Sequence, residues 1–112
     1  MIRSTITKVY IMNQEKLFKG VCVRVSTCHQ LDYVVGRVRA LGGVYEHWND
    51  YTHDTMYDQF STYNSTPTAY IGCYLWIAYF RSINKIMVQM HNHNCNVPVF
   101  STWADALAYL EE

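Results

Sequence analysis

The sequence predicts an α+β fold: two β-hairpins, each followed by a helix (ββα–insert–ββα), forming one antiparallel sheet with the helices on one face. Three observations lead there. Apolar residues alternate with a period of two over 2–12, 17–26, 69–81 and 85–93, as in strands with one buried face. The spacing becomes helical over Leu31–Leu41 and again over Trp103–Leu110. Each helical stretch follows a threonine with a polar residue three places on, Thr27 with Gln30 and Thr102 with Asp105, which is N-capping spacing.

Ile6, Val9, Tyr10 and Ile11 mark the first strand, and Asn13-Gln14-Glu15-Lys16 turns the chain. The second strand sets Val21, Val23 and Val25 on one face, with Cys22 and Arg24 on the other, closing a hairpin. The helix that follows carries Leu31, Val34, Val35, Val38 and Leu41 and stops at Gly42-Gly43. Residues 1–43 are thus one ββα half and 69–112 the other, within a single domain. Residues 44–68 form a polar-aromatic insert without clear period, with a short helix around Asp54–Tyr63 or a strand around Gly43–Trp48 as the readings it offers. In the second half Pro67 precedes a strong strand, Ser82-Ile83-Asn84 makes a tight connection, and Trp103, Ala106, Leu107 and Leu110 form the last apolar stripe.

Half of the 112 residues are hydrophobic, enough for a folded core. Nine basic and nine acidic residues cancel, which argues against extended contact with DNA or RNA, since a phosphate backbone selects a basic excess. Four cysteines without any CxxC pair, and an N-terminus without an apolar leader run, lead us to expect a cytoplasmic protein with reduced thiols. The longest mostly apolar run, 69–80, falls short of the roughly 20 residues that span a bilayer.

The most informative segment is Lys85–Cys95, where Lys85, Gln89, His91, His93 and Cys95 share one strand face. If Phe80 pairs with Lys85 across the tight turn, Tyr74 stands opposite His91 and Trp76 opposite Gln89. One face then holds Ile71, Cys73, Leu75, Ile77 and Tyr79 with Ile86, Val88 and Met90, and belongs under the helices. The other holds Tyr70, Tyr74, Trp76 and Phe80 beside Lys85, Met87, Gln89, His91 and His93. Such a face is either a second core layer, covered by the insert or a homodimer mate, or a stacking platform for a planar ligand, or a surface for a protein partner.

Other chemistries fit less well. His91, His93 and Cys95 could offer metal ligands, and Cys28-His29 or His47 and His53 could complete a set, but without a second clustered pair at zinc-finger spacing no metal and no cofactor is assigned. Cys28 sits at a helix start, yet the adjacent His29 diverges from it by about 100° and cannot serve as its base. The insert supplies His47, Asp50, His53, Asp54 and Asp58 for acid–base work, but there is no HExxH, GxSxG or phosphate loop. The expectation is therefore a non-catalytic binding or inhibitor protein. Its contacts are Tyr70, Tyr74, Trp76, Gln89, His91 and His93, joined by Tyr45, Trp48 and Tyr51 from the insert. The occupant is a small nucleotide-like ligand or a host protein, and composition suits a viral or mobile-element accessory protein that acts as a homodimer. The alternative is a small His/carboxylate-dependent hydrolase or nuclease, with or without a metal.

Overall fold

A computed structural model describes residues 12–45, 53–65 and 72–112. Its elements run α1 (Gln14–Lys19), β1 (Val21–Val25), α2 (Cys28–Ala40), β2 (Val44–Tyr45), α3 (His53–Ser65), β3 (Cys73–Phe80), β4 (Lys85–His91), β5 (Val99–Phe100) and α4 (Trp103–Leu110). The fold is α+β, as expected. Its five-stranded sheet has the order β2-β4-β3-β1-β5 and is mixed, which corrects the antiparallel expectation. The pairs β1/β3 and β3/β4 are antiparallel, whereas β1/β5 and β2/β4 are parallel.

The difference begins at Asn13. Its side chain accepts the Lys16 N–H (3.1 Å), so Gln14–Lys19 is a capped helix and not a hairpin turn. Leu17 goes fully into the core, and Gly20, at φ +91°, reverses the chain into β1. β3 and β5 then occupy the two edges of β1, so β1 is not the second strand of a local hairpin. The first strand expected, 2–12, lies outside the described residues apart from Met12, which is buried.

The remaining local signals act as their chemistry dictates. Thr27 and Gln30 form a reciprocal capping box, with Gln30 Oε1 accepting from Ser26 N (2.7 Å) and Thr27 N (3.2 Å). The Gly42 and Gly43 amides close α2 onto the Arg39 and Val38 carbonyls, with Gly42 at φ +80°. Thr102 caps α4 through the Asp105 N–H (3.1 Å). The insert contributes both β2 and α3, so two elements offered as alternatives are both present.

The β3/β4 register is the one derived from the tight turn: Phe80 opposite Lys85, Trp76 opposite Gln89 and Tyr74 opposite His91. Leu75, Ile77, Val88 and the three β1 valines consequently form one buried face with Leu17, Val35, Phe60 and Leu110, side chains drawn from all four described helices. Each fully buried aliphatic residue there contributes about 1.5–3 kcal/mol.

Two glycines give opposite tests of this packing. A Cβ on Gly43 would lie 2.6 Å from Val38 Cγ1 and 2.7 Å from the Ile86 carbonyl, whereas nothing lies within 4 Å of one on Gly36. Gly36→Ala is expected to stabilise the protein by about 0.5–1 kcal/mol, because the helix interior gains propensity. Gly43→Ala should instead destabilise it by about 1–3 kcal/mol through overpacking. Urea unfolding of the two variants checks both signs.

Candidate functional site

All the described helices pack on the Leu75/Val88 face, leaving the other face of the sheet without a helix among the described residues. Alternation along the paired strands places on it Tyr74, Trp76, Ala78 and Phe80 of β3, Lys85, Met87, Gln89 and His91 of β4, and Cys22 and Arg24 of β1. Cys22, Ala78 and Met87 are buried in the middle of this face, while Tyr74, Trp76, Phe80, Gln89 and His91 are half-buried around them.

The rings form a continuous strip. Trp76 meets Phe80 at 5.5 Å and His91 at 6.1 Å between centroids, both edge to face, and His91 meets His93 at 5.5 Å. Such pairs are worth about 0.5–1.5 kcal/mol beyond area burial. The Arg24 guanidinium lies 5.9 Å from the Tyr74 ring. The Trp76 indole N–H is buried with no hydrogen-bond partner among the described residues. The reason is local: Trp76 Nε1 sits against Gly20, where an added Cβ would come within 2.5 Å.

Gln89 and His91 are linked, with His91 Nε2 and Gln89 Oε1 3.3 Å apart. An amide oxygen only accepts, so this contact is a hydrogen bond in the tautomer that carries the His91 proton on Nε2. Burial, with a smaller contribution from the neighbouring His93 charge, pushes the His91 pKa below its usual 6.5.

β4 ends at His91, two residues earlier than the alternation suggested. His93 and Cys95 therefore do not continue a strand face; a turn brings them back. Val97 N donates to Asn94 O (3.3 Å), and the two residues between, Cys95 and Asn96, take φ of 57° and 58°. The segment 92–98 has to cross from the end of β4, past β3 and β1, to reach β5. It does so over the helix-free face, where Cys22 Sγ donates to the Asn94 carbonyl (3.1 Å), and it enters the sheet at Pro98, whose carbonyl accepts Cys22 N (2.8 Å) as the first bond of the β1/β5 ladder.

The remaining expected contacts lie elsewhere. Tyr45 pairs with Val88 and packs against the core on the helix side, with its hydroxyl lacking a partner among the described residues and its pKa pushed up to about 12 by burial. Trp48, Tyr51 and Tyr70 lie outside the described residues, as do His47 and Asp50. Asp58 is exposed on α3, whose Met56 and Phe60 enter the core, so the sheet separates it from His91. Sequence reasoning missed the role of Cys22, because β1 was assigned a different neighbour.

A second concavity of about 310 Å³ opens on the helix side between the first turns of α2 and α4, near His29, Tyr33 and Trp103. Two helix N-termini would suit an anion, but Thr27, Gln30 and Thr102 already accept amide donors there.

No helix among the described residues is long and apolar enough to cross a membrane. No protein-family model, curated protein or solved structure matches this chain.

Two predictions follow from the titrating groups. Because folding lowers the His91 pKa, the unfolded chain binds that proton first, so stability is complete above pH 6.5 and falls as pH drops toward the folded value. His91→Gln should lose less stability between pH 7 and pH 5 than the parent chain in thermal melts with chelator present. Burial pushes the Cys22 and Cys73 thiols up to about 12, whereas Cys28 is exposed. Iodoacetamide at neutral pH should label Cys28 in the native protein and spare Cys22 and Cys73 until denaturant is added, as read by peptide mass mapping.

Proposed function

We propose that this chain is a non-catalytic binding protein that stacks a small planar, nucleotide-like ligand on its helix-free sheet face. One observation carries the reading: Tyr74, Trp76, Phe80 and His91 form a half-buried strip of rings on the one sheet face that no described helix covers. Base-on-ring stacking is worth about 1–3 kcal/mol per base and tolerates different bases. Gln89 and His91 stand beside Trp76 as hydrogen-bonding groups, and Lys85 and Arg24 supply positive charge at the two ends of the strip.

Size selects this occupant over a protein. From Tyr74 to Phe80 the strip extends about 20 Å, and it is two strands, about 10 Å, wide. That gives roughly 200 Å², far below the ~800 Å² per partner of a standard protein–protein interface. The same area is ample for a base and its sugar. The zero net charge is consistent with a single nucleotide-like ligand and not with a long polyanion.

The placement of Asp58 across the sheet from His91 weighs against the hydrolase alternative, because general acid–base catalysis needs its groups within hydrogen-bond reach of one substrate. An accessory role against a host factor, and a homodimeric state, belong to this proposal as its biological setting.

Native mass spectrometry of the protein purified from its host tests the reading. A bound ligand with aromatic ultraviolet absorption is the expected result. Trp76→Ala and Tyr74→Ala should each weaken its binding by about ten- to a hundredfold while the fold, read by circular dichroism, is kept. A stoichiometric protein partner in place of a small molecule, or full ligand binding by both variants, would overturn it.

A further inference from the structure

The 92–98 crossover is a structural problem as well as a connection. It carries the chain over a sheet face without a helix or strand of its own, and the hydrogen bonds holding it to β1 come from Cys22. Around this contact four metal-binding side chains converge. The ligand atoms of His91, His93 and Cys95 all lie within 4.8 Å of one another. Cys22 reaches the same turn from β1, its thiol donating to the carbonyl of Asn94, the residue before Cys95 (3.1 Å). We infer that Cys22, His91, His93 and Cys95 form a Cys₂His₂ site for a zinc-class divalent ion, which fastens the crossover to β1.

The donor set fits the ion. Structural zinc takes four nitrogen and sulfur ligands in a tetrahedron, with bonds of about 2.0–2.3 Å, so its ligand atoms sit about 3.3–3.8 Å apart. For His91, His93 and Cys95, closing from within 4.8 Å takes about 1 Å of movement, and Cys22 completes the set from β1. Cys22 is fully buried and fixed by β1, Cys95 and His91 are half-buried, and His93 is exposed, so the ion enters from the crossover side.

The imidazoles are arranged for coordination. In the tautomer with its proton on Nε2, His91 donates to Gln89 Oε1 (3.3 Å) and keeps Nδ1 as its coordinating atom, with the amide as its outer-shell partner. His93 Nδ1 accepts the Cys95 backbone N–H (3.2 Å), so its lone pair already points into the turn that carries Cys95. Coordination exchanges that N–H for the ion.

The turn itself is an independent sign. Cys95 holds φ +57°, a conformation that costs a non-glycine side chain about 1 kcal/mol or more. Asn96 at φ +58° is ordinary for asparagine, but cysteine is not a residue that turn chemistry selects. Glycine or asparagine at 95 would make the better turn, and only cysteine brings a soft ligand to this point. Binding releases the two thiol protons and joins a divalent cation to two thiolates and two neutral imidazoles, so the site is neutral overall. The site shares His91 with the proposed ligand face, but Cys22, His93 and Cys95 belong to it alone and Tyr74 and Trp76 are not part of it, so variants at those positions test the two readings separately.

Cobalt(II) and zinc titrations of the full chain, purified under reducing conditions and stripped with chelator, test the site. The expected result is one equivalent per chain, with intense visible bands of tetrahedral cobalt, a thiolate charge-transfer band, and displacement by zinc. Cys95→Gly and His93→Ala should weaken uptake by more than the roughly 10–100-fold that loss of an outer-shell partner costs, while Cys28→Ser and His29→Ala leave it unchanged. Cys95→Gly gives a second readout: it relieves the positive φ, so the metal-free melting temperature should hold or rise, while the rise on adding zinc disappears. Uptake below a tenth of an equivalent, an octahedral cobalt spectrum, metal retained by both Cys95→Gly and His93→Ala, or a Cys22–Cys95 disulfide whose reduced form takes no metal would each overturn the assignment.

Discussion

The packing of Leu75, Ile77 and Val88 beneath helices fixes the character of every other surface in this fold. These residues alternate with Tyr74, Trp76 and Gln89 along the same two strands, so burying one set commits the other to the opposite face. A one-residue slip would drive the ring-bearing set into the aliphatic core and expose Leu75 and Val88. With several fully buried side chains at stake, each worth about 1.5–3 kcal/mol, the register has no close competitor. The half-buried ring strip is thus a consequence of core packing, and it exists whether or not anything binds to it.

The second constraint is topological. β1 and β5 are parallel, and β4 and β5 are separated in the sheet by β3 and β1, so the chain after His91 must cross two strands before it can pair again. Parallel connections in such sheets are usually helical, and a helix brings its own backbone hydrogen bonds and an apolar face. The segment 92–98 has neither. It relies on a turn with two consecutive positive-φ residues and on hydrogen bonds to Cys22, which accounts for the concentration of cysteine, histidine and asparagine in this short stretch.

Much of this architecture was legible in the sequence because the decisive signals were local. The capping box at Thr27, the N-cap at Thr102, the stop at Gly42-Gly43 and the tight turn before Lys85 each act over a few residues, and each behaves as its chemistry requires. The turn at Ser82–Asn84 alone sufficed to set the β3/β4 register and hence to place Tyr74, Trp76, Gln89 and His91 on one face. What the sequence hid was non-local. Nothing in Val21–Val25 says that its neighbours are β3 and β5, separated from it by some fifty and seventy residues of chain, and loop closure over such distances leaves no compositional trace. Cys22 accordingly read as an ordinary outward residue of a hairpin. His93 and Cys95 read as continuing a strand, because alternation in a polar, asparagine-rich segment does not distinguish a strand from a turn. Tyr45 was grouped with the binding face through its composition, and its pairing with Val88 turns it to the other side.

These two constraints divide the helix-free face. The crossover covers the β1 side, where Cys22 is fully buried, and the rings of Trp76 and Phe80 line the β3 side. His91 sits on the boundary, 6.1 Å from Trp76 and 5.5 Å from His93 between ring centroids. An imidazole held there by Gln89 on one nitrogen presents its edge to the indole in a fixed orientation, and anything that rigidifies the crossover also fixes one end of the ring strip. Order in the loop and order in the strip are therefore the same quantity seen from two sides. A ligand that stacks on Trp76 needs no further side-chain ordering at His91, and this lowers the entropic cost of binding by about 0.5–1.5 kcal/mol for each side chain already immobilised. His93 and Cys95 thus lie at the border of the aromatic face and not on it, and His91 is the residue the two regions share.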